Sequence, residues 1–292
     1  MRDYLLETKL KHEAPELHER VRSSVMALEN MLQSFLTVFP DFTDHSILHS
    51  MDVLEFCNQL IGAEQVKRLG PEECYVLIMA CYLHDIGMGV REKEYDEFCE
   101  RLELASWLET HPSDERADVI RKFHHEFSGQ FIRKYAELFD IPTEELLYAI
   151  VQVSRGHRVT DLYDETEYPD IRTRDGVIHT SYLAAVVRLA DEIDVASERN
   201  PELLYDTSRL TKQKDVEAFG THESIKRVEV AEDRIILHVK PKAPEYEKLI
   251  EELAVKIRET LDYCRGVAAA RSEFRITQEC VTILNDPTGG DL

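Results

Sequence analysis

The chain has 292 residues, 43% of them hydrophobic, and a formal net charge of −22. It is long enough to bury one sizeable core, or a core and a small second domain. The acidic residues are spread along the chain, so a long nucleic-acid duplex would meet mostly repulsion, and we expect no such partner. A small phosphate ligand fits this charge, because a bound divalent metal and a few arginines can reverse the field inside a cleft.

Hydropathy and cysteine usage predict a soluble, cytoplasmic protein that does not enter a membrane. No apolar run approaches the ~20 residues of a bilayer span, and no charged segment followed by an apolar one opens the chain. The six cysteines show no CxxC spacing, and we expect them to be reduced and mostly buried.

Helical periodicity dominates the first 200 residues. Apolar residues recur at helical spacing over 17–39 and stop at Pro40, which predicts an amphipathic helix that ends there. A second helix is predicted from a cap at residue 43 or 44 to a stop at Gly62. A third begins near Pro71 and is apolar on most sides through residue 83, so it should lie in the middle of the core.

Three further helices are predicted before the pattern changes. Ser113 can cap a long helix whose apolar stripe reaches Leu138, and the next helix runs from Thr143 to Gly156. Residues 157–176 have no period and are rich in charge and turn residues, which predicts a loop. The last helix of this set covers about 179–197.

From about residue 200 the sequence predicts a small α+β part. Alternating apolar residues around the letters AED indicate a hairpin over 228–239, and a helix follows over about 245–264. Residues 274–276 and the run CVTIL can supply one or two more strands. We therefore predict a helical domain over 1–200, which includes N-terminal helices within 1–40, and an α+β subdomain over 201–292.

Five segments carry residues that commonly ligate metals, in the order His, His-Asp, His, His, Asp. The intervals are 35, 40, 33 and 34 residues, each about one helix out and one helix or loop back, so every ligand can return to one layer of a bundle. One such histidine alone is more often an ordinary buried histidine, but the ordered set favours a metal site. The set is His49, His84, Asp85, His124, His157 and Asp191.

Helix phase supports an inward direction for several of these side chains. His124 lies on the apolar stripe of its helix, whereas His125 is rotated about 100° away and is the weaker ligand. A carboxylate on the apolar face at Asp191 stays ionised only where a cation or donors compensate its burial. His84 and Asp85 can reach one ion because two glycines loosen the helix end after them.

Mixed imidazole and carboxylate ligands fit Mn²⁺, Fe²⁺, Co²⁺, Ni²⁺ or Zn²⁺ better than Ca²⁺, and Mg²⁺ is a further candidate. Six protein ligands are too many for one tetrahedral zinc site that keeps a water. We predict one or two divalent ions, with Asp85 as the bridge between two, and Asp85 and His124 as catalytic residues. Two ions about 3.5–4 Å apart stabilise the attacking and leaving oxygens of a phosphoryl centre.

The segments LHSMDV, YLHDIGM, FHHEFS, RGH and RLADEID, in this order, resemble the HD superfamily of metal-dependent phosphohydrolases. The resemblance covers roughly residues 40 to 200 and is nearest to HD domains that precede a GHKL-type ATPase module. It implies a helical fold and a first metal on His49, His84, Asp85 and Asp191. It also implies that His124 and His157 are the extra histidines of two-metal members. The sequence lacks the markers of the deoxynucleotide, alarmone and cyclic-dinucleotide branches, so none of those substrates is carried over.

Four residues are predicted to bind the substrate: His45, His125, Arg155 and Arg158. His45 lies one turn before the first ligand and can face the site, although capping or a surface hydrogen bond fits as well. The two arginines flank His157 and can clamp a phosphate, or can form salt bridges with the acidic loop that follows. Asp194 and Arg199 can orient a ligand, contact the substrate, or only pin the end of the helix.

These observations predict a mainly α protein, an HD-type helical bundle with a small C-terminal α+β subdomain. The expected function is metal-dependent hydrolysis of a phosphoester or phosphoanhydride in a small molecule, with a nucleotide as the expected substrate and metal-bound hydroxide as the nucleophile. The alternative is a regulatory module whose metal site binds a nucleotide or stabilises the bundle while a protein partner does the chemistry. An ATPase and a second copy of the chain are the partners considered.

Overall fold

The computed structural model describes residues 4–32, 47–196 and 213–285. The fold is mainly α with two small sheets, as the sequence predicted. The helices are α1 Leu5–Glu13, α2 Pro15–Leu32, α3 Ile47–Val66, α4 Pro71–Leu83, α5 Glu92–Arg101, α6 Ala105–Thr110, α7 Arg116–Lys134, α8 Glu144–Arg155, α9 Thr180–Ile193, α10 Gln213–Ser224 and α11 Pro244–Arg271. The strands are β1 Asp170–Arg172, β2 Val177–His179, β3 Ile225–Val230, β4 Arg234–Val239 and β5 Cys280–Asn285.

Helix α4 lies in the centre of the helical core. Pro71 occupies its first turn, where the missing N–H costs nothing, and the Glu73 carboxylate accepts a hydrogen bond from the Gly70 backbone N at 3.0 Å. Every residue from Glu73 to Leu83 is buried, against helices α1, α2, α3 and α8. This confirms the predicted central helix and brings its C-terminal end, with His84 and Asp85, into the interior.

Three of the predicted helix ends are confirmed. The Thr143 hydroxyl caps α8 by accepting from the Leu146 N at 3.3 Å, and Gly156 follows its last residue. In α3 the helical path stops at Gly62, whose φ of 73° suits glycine. Helix resumes after this kink and runs to Val66, a continuation that was not predicted.

Other predicted elements differ from the structure in their limits. Helix α7 begins after Glu115 rather than at Ser113 and ends at Lys134, so Leu138 lies beyond it and is exposed. The predicted loop over 157–176 contains β1, which pairs antiparallel with β2. Both strands have three residues, too few for an alternating pattern to be visible in the sequence.

The C-terminal part is built on a three-stranded sheet in the order β3-β4-β5. The hairpin of β3 and β4 is confirmed, and β5 joins β4 in parallel. Residues 274–276 are not in a strand, and α10 was not predicted. Helix α11 packs along α9, and its buried side chains belong to the same hydrophobic core as the helical part.

Several predictions fall outside the described residues. These are the helix end at Pro40, the cap at residue 43 or 44, His45, Arg199, and the domain boundary after residue 200. The six cysteines are free thiols, and all except Cys280 are buried. In the described ranges no single helix has both the length and the apolarity of a bilayer span; Pro71–Gly89 with Glu92–Arg101 reaches them only as a pair bent by 105°.

Candidate metal centre

The six predicted ligands come together in the interior from five segments. One lies in the first turn of α3, two at the end of α4, one in the middle of α7, one directly after α8 and one near the end of α9. Their ligand atoms form two groups, each within 4.8 Å, and both groups could hold a metal ion. The groups are His49, His84 and Asp191, and Asp85, His124 and His157.

In the first group, two imidazole nitrogens and one carboxylate oxygen face each other. The Nε2 atoms of His49 and His84 are 3.1 Å apart. The Oδ1 atom of Asp191 lies 3.3 Å from the His49 Nε2 and 3.7 Å from the His84 Nε2. Both histidines are buried, so these three atoms enclose a small polar site inside an apolar core.

The second group repeats this arrangement with a different carboxylate. The Nε2 atoms of His124 and His157 are 2.9 Å apart. The Oδ1 atom of Asp85 lies 3.4 Å from the first and 3.5 Å from the second.

Asp85 also faces the first group. Its other oxygen, Oδ2, lies 3.6 Å from the Nε2 of His49 and 3.6 Å from the Nε2 of His84. One carboxylate therefore presents one oxygen to each group, which is the arrangement of a ligand that bridges two ions.

In each of the four histidines, the hydrogen bond of the Nδ1 atom determines which ring nitrogen can bind a metal ion. The Nδ1 atoms of His84, His124 and His157 donate to backbone carbonyls three residues earlier, at 2.9, 2.7 and 2.6 Å. The Nδ1 of His49 donates to the Oδ2 of Asp194 at 2.6 Å. Since carbonyls and carboxylates only accept, each proton sits on Nδ1 and leaves the Nε2 lone pair for a metal.

The electrostatics of the second group fit a cation. Burial lowers the pKa of His124 to about 3, against the opposing effect of Asp85, and burial also lowers the pKa of His157. Both imidazoles are neutral at pH 7, so two nitrogen lone pairs face each other at 2.9 Å. Such a contact is repulsive until a cation lies between them, and a divalent metal ion satisfies it.

The first group also favours positive charge. Burial acts to lower the pKa of His84, but Asp85 and Asp191 outweigh it and raise the pKa to about 9. Burial acts to raise the pKa of Asp191, but hydrogen bonds from His49 and His84 bring it well below its usual range. This cluster therefore favours a bound proton, and a metal ion held there would take the place of that proton.

A tight backbone contact holds the two groups together. After His84 the chain forms a short 3-10 turn over Ile86–Gly89 that packs on α7. The Ser128 hydroxyl of α7 donates to the carbonyl of His84 at 2.5 Å and accepts from the Gly87 N at 2.9 Å. A Cβ on Gly87 would overlap the carbonyl oxygen of His124 and lie 2.5 Å from the Ser128 N. Ser128 was not predicted from the sequence, in which only the glycine after the His-Asp pair indicates a close approach.

The residues predicted to bind the substrate have different environments. His125 is buried, contrary to its expected outward direction, and burial lowers its pKa to about 2. Arg155 forms a two-pronged pair with Glu126, at 2.9 and 2.6 Å, and also bonds to Glu167, so the salt-bridge alternative applies to it. Arg158 is exposed and makes no ion pair with a carboxylate of the described residues.

A cleft of about 310 Å³ opens beside the metal centre. It begins at His157 and lies between the loop after α8, the end of α9 and one face of α11. Its walls carry His157, Arg158, Val159, Arg188, Glu192, Lys256, Glu259, Thr260 and Tyr263. The α11 residues could not be found from the sequence, because they lie about a hundred positions from His157 and follow no motif.

A model of the protein family HD-CE matches residues 39–271. The match includes all six ligand positions and extends through α11. It supports an HD-type domain. No curated protein and no solved structure matches the chain.

Proposed function

The chain belongs to the HD-CE family, and on that premise we propose that it is a metal-dependent phosphohydrolase acting on a phosphoester or phosphoanhydride, with a nucleotide as the substrate. The observation that carries this proposal is the position of Asp85. Its two oxygens face two separate pairs of histidine nitrogens, at 3.4–3.6 Å. A buried carboxylate between four imidazoles suits two adjacent ions, and adjacent ions suit phosphoryl transfer.

The chain's own residues hold and orient the centre. His49, His84 and Asp191 would bind one ion, His124 and His157 the other, and Asp85 both. Ions bound there would activate water and neutralise the negative charge that develops on a phosphoryl group. The Nδ1 hydrogen bonds keep the four rings in place, so little reorganisation is needed during the reaction.

Arg158 supplies positive charge next to the centre. Burial is the main cause of the lowered pKa of His124 and of His125, and the positive charge of the Arg158 guanidinium adds to it. The guanidinium therefore lies near both rings. In a chain with a net charge of −22, such a group is needed to attract an anionic substrate to the site. We therefore assign Arg158 to substrate binding and Arg155 to the support of the loop.

The test is hydrolysis by the Mn²⁺-loaded protein. The substrates are bis-(p-nitrophenyl) phosphate and a panel of nucleoside mono-, di- and triphosphates. We expect release of p-nitrophenol or phosphate, and a fall of about 10²-fold or more in turnover for Asp85→Asn, which has nearly the same shape but no charge to bridge two ions.

The control is Asp96→Asn, an exposed carboxylate of α5 that belongs to neither ligand group and does not line the cleft. It should keep wild-type turnover. Turnover of Asp85→Asn equal to that of the wild type, or no hydrolysis of any of these compounds by the metal-loaded wild type, would contradict the proposal.

A further inference from the structure

The cleft beside His157 has a cationic interior that the metal centre does not use. It carries Arg158, Arg188 and Lys256 against two acidic side chains. One of these, Glu192, is paired with Lys256 at 2.7 Å. The guanidinium of Arg158 makes no such pair within the described chain. In so acidic a protein, an uncompensated arginine next to a metal centre indicates a site for an anion.

The loop that carries Arg158 is fixed by helix α11. The Tyr263 hydroxyl accepts a hydrogen bond from the Leu162 N at 2.8 Å. Arg271 donates to the carbonyls of Leu162, Tyr163 and Tyr168 at 3.3, 3.0 and 2.9 Å. The wall of the cleft is therefore built by contacts between parts of the chain about a hundred residues apart.

Arg188 fixes the same loop from the other side. Its guanidinium donates to the carbonyls of Gly156 and Thr160 at 2.7 and 2.8 Å and lies over the ring of Tyr263, 5.1 Å from its centre. The donors of Arg188 are therefore used on the loop, and Lys256 gives one of its three N–H donors to Glu192 and is otherwise exposed. Arg158 is exposed and makes no ion pair within the described chain, so it is the main candidate to bind an anion. The volume of the cleft, about 310 Å³, suits a small molecule rather than a protein segment.

We propose that this cleft binds the part of the substrate beyond the reacting phosphoryl group, and that this part is a further phosphate. Arg158 on the loop and Lys256 on α11 bind its oxygens, and the Thr260 hydroxyl lies one helical turn after Lys256 in the same wall. The substrate class is then a chain of two or more phosphoryl groups, as in a nucleoside di- or triphosphate or an inorganic polyphosphate. This inference rests on the proposed function, since it places the reacting phosphoryl group at the metal centre.

The test is calorimetric binding of tripolyphosphate and of orthophosphate to the Mn²⁺-loaded protein. Orthophosphate can fill only the metal centre, whereas tripolyphosphate reaches the cleft. We expect tripolyphosphate to bind more tightly, and Arg158→Gln and Lys256→Gln each to weaken it about tenfold, as for the loss of a charge-assisted hydrogen bond. Orthophosphate affinity should change much less. Lys248→Gln removes the same charge from an exposed position of α11 outside the cleft and should leave both affinities unchanged.

Equal affinity of the wild type for the two probes, or an equal weakening of both by Arg158→Gln, would overturn the subsite. ATP as a third probe distinguishes a nucleotide from an inorganic polyphosphate. If the protein binds ATP with the same affinity as tripolyphosphate, the cleft is a polyphosphate site. If it binds ATP more tightly, the cleft is a nucleotide site. Failure of the proposed function has a different signature. The cleft would still discriminate between the probes, but the wild type would hydrolyse none of the panel compounds.

Discussion

At the scale of single residues, the two groups of candidate metal ligands share only Asp85. His124 and His157 contact one of its oxygens, and His49 and His84 the other. Removing one histidine of the second pair should therefore empty that half while the first keeps its three ligands. This separates a two-ion centre from a one-ion centre.

We expect about two ions per wild-type chain and about one per chain of the His124→Ala variant, measured by elemental analysis after exhaustive dialysis. His222→Ala, which changes a histidine outside both groups, is the matched control and should retain two. One ion in wild type and variant alike would contradict the two-ion centre, and His124 would then be a residue that contacts the substrate.

The convergence of the six candidate ligands could be predicted from the sequence, because the motif order and the helix phase both limit where they point. Their division into two groups could not, since it depends on how the Asp85 carboxylate is turned at the start of the 3-10 turn. For Asp194 the sequence left three roles open, and its 2.6 Å hydrogen bond to His49 supports the orienting role. Arg155 shows the limit of this reasoning, because its partner Glu126 lies on another helix.

At the scale of elements, the centre depends on how closely the 3-10 turn approaches α7. Gly87 permits this approach because a Cβ there would meet backbone atoms of α7, which cannot move aside as the end of a flexible side chain can. The contact also carries both hydrogen bonds of the Ser128 hydroxyl. The distance between the two histidine pairs is thus set by the backbone rather than by the ligands.

Gly87→Ala should lower the free energy of unfolding by about 2–3 kcal/mol, as for overpacking of a well-packed core, and should reduce the metal content. Urea unfolding and elemental analysis measure the two effects. Gly70→Ala is the control, because a Cβ there has its nearest contact at 3.8 Å from the Glu73 carboxylate. A Gly87→Ala variant with wild-type stability and metal content would refute the argument.

Long elements with capping residues were predictable, and short elements held by distant contacts were not. The Pro71 start of α4 and the Thr143 cap of α8 are local signals, so the sequence locates both helices. Strand β1 exists because it pairs with β2, whose last residue, His179, donates from Nδ1 to Glu73 of α4 at 2.8 Å. No sequence feature within residues 157–176 indicates that β1 pairs with β2.

At the scale of the whole molecule, the boundary predicted after residue 200 meets a core that continues across it. Helix α11 packs along α9, the helix that carries Asp191, and buries seven residues there and around it. They are Ile250, Ala254, Ile257, Leu261, Cys264, Val267 and Ala268. The same helix fixes the loop after His157 through Tyr263 and Arg271. Fold and site therefore both depend on the C-terminal part.

A chain that ends at residue 212 should accordingly fail to fold cooperatively. Each fully buried Ile, Leu or Val contributes about 1.5–3 kcal/mol, and the four in α11 together approach the 5–15 kcal/mol that holds a typical domain folded. We expect a broad thermal transition by circular dichroism and no retained metal. A chain that ends at residue 285 keeps every described element and should behave as wild type. A sharp transition with two bound ions in the shorter chain would contradict this and show that residues 213–292 are not needed for folding or metal binding.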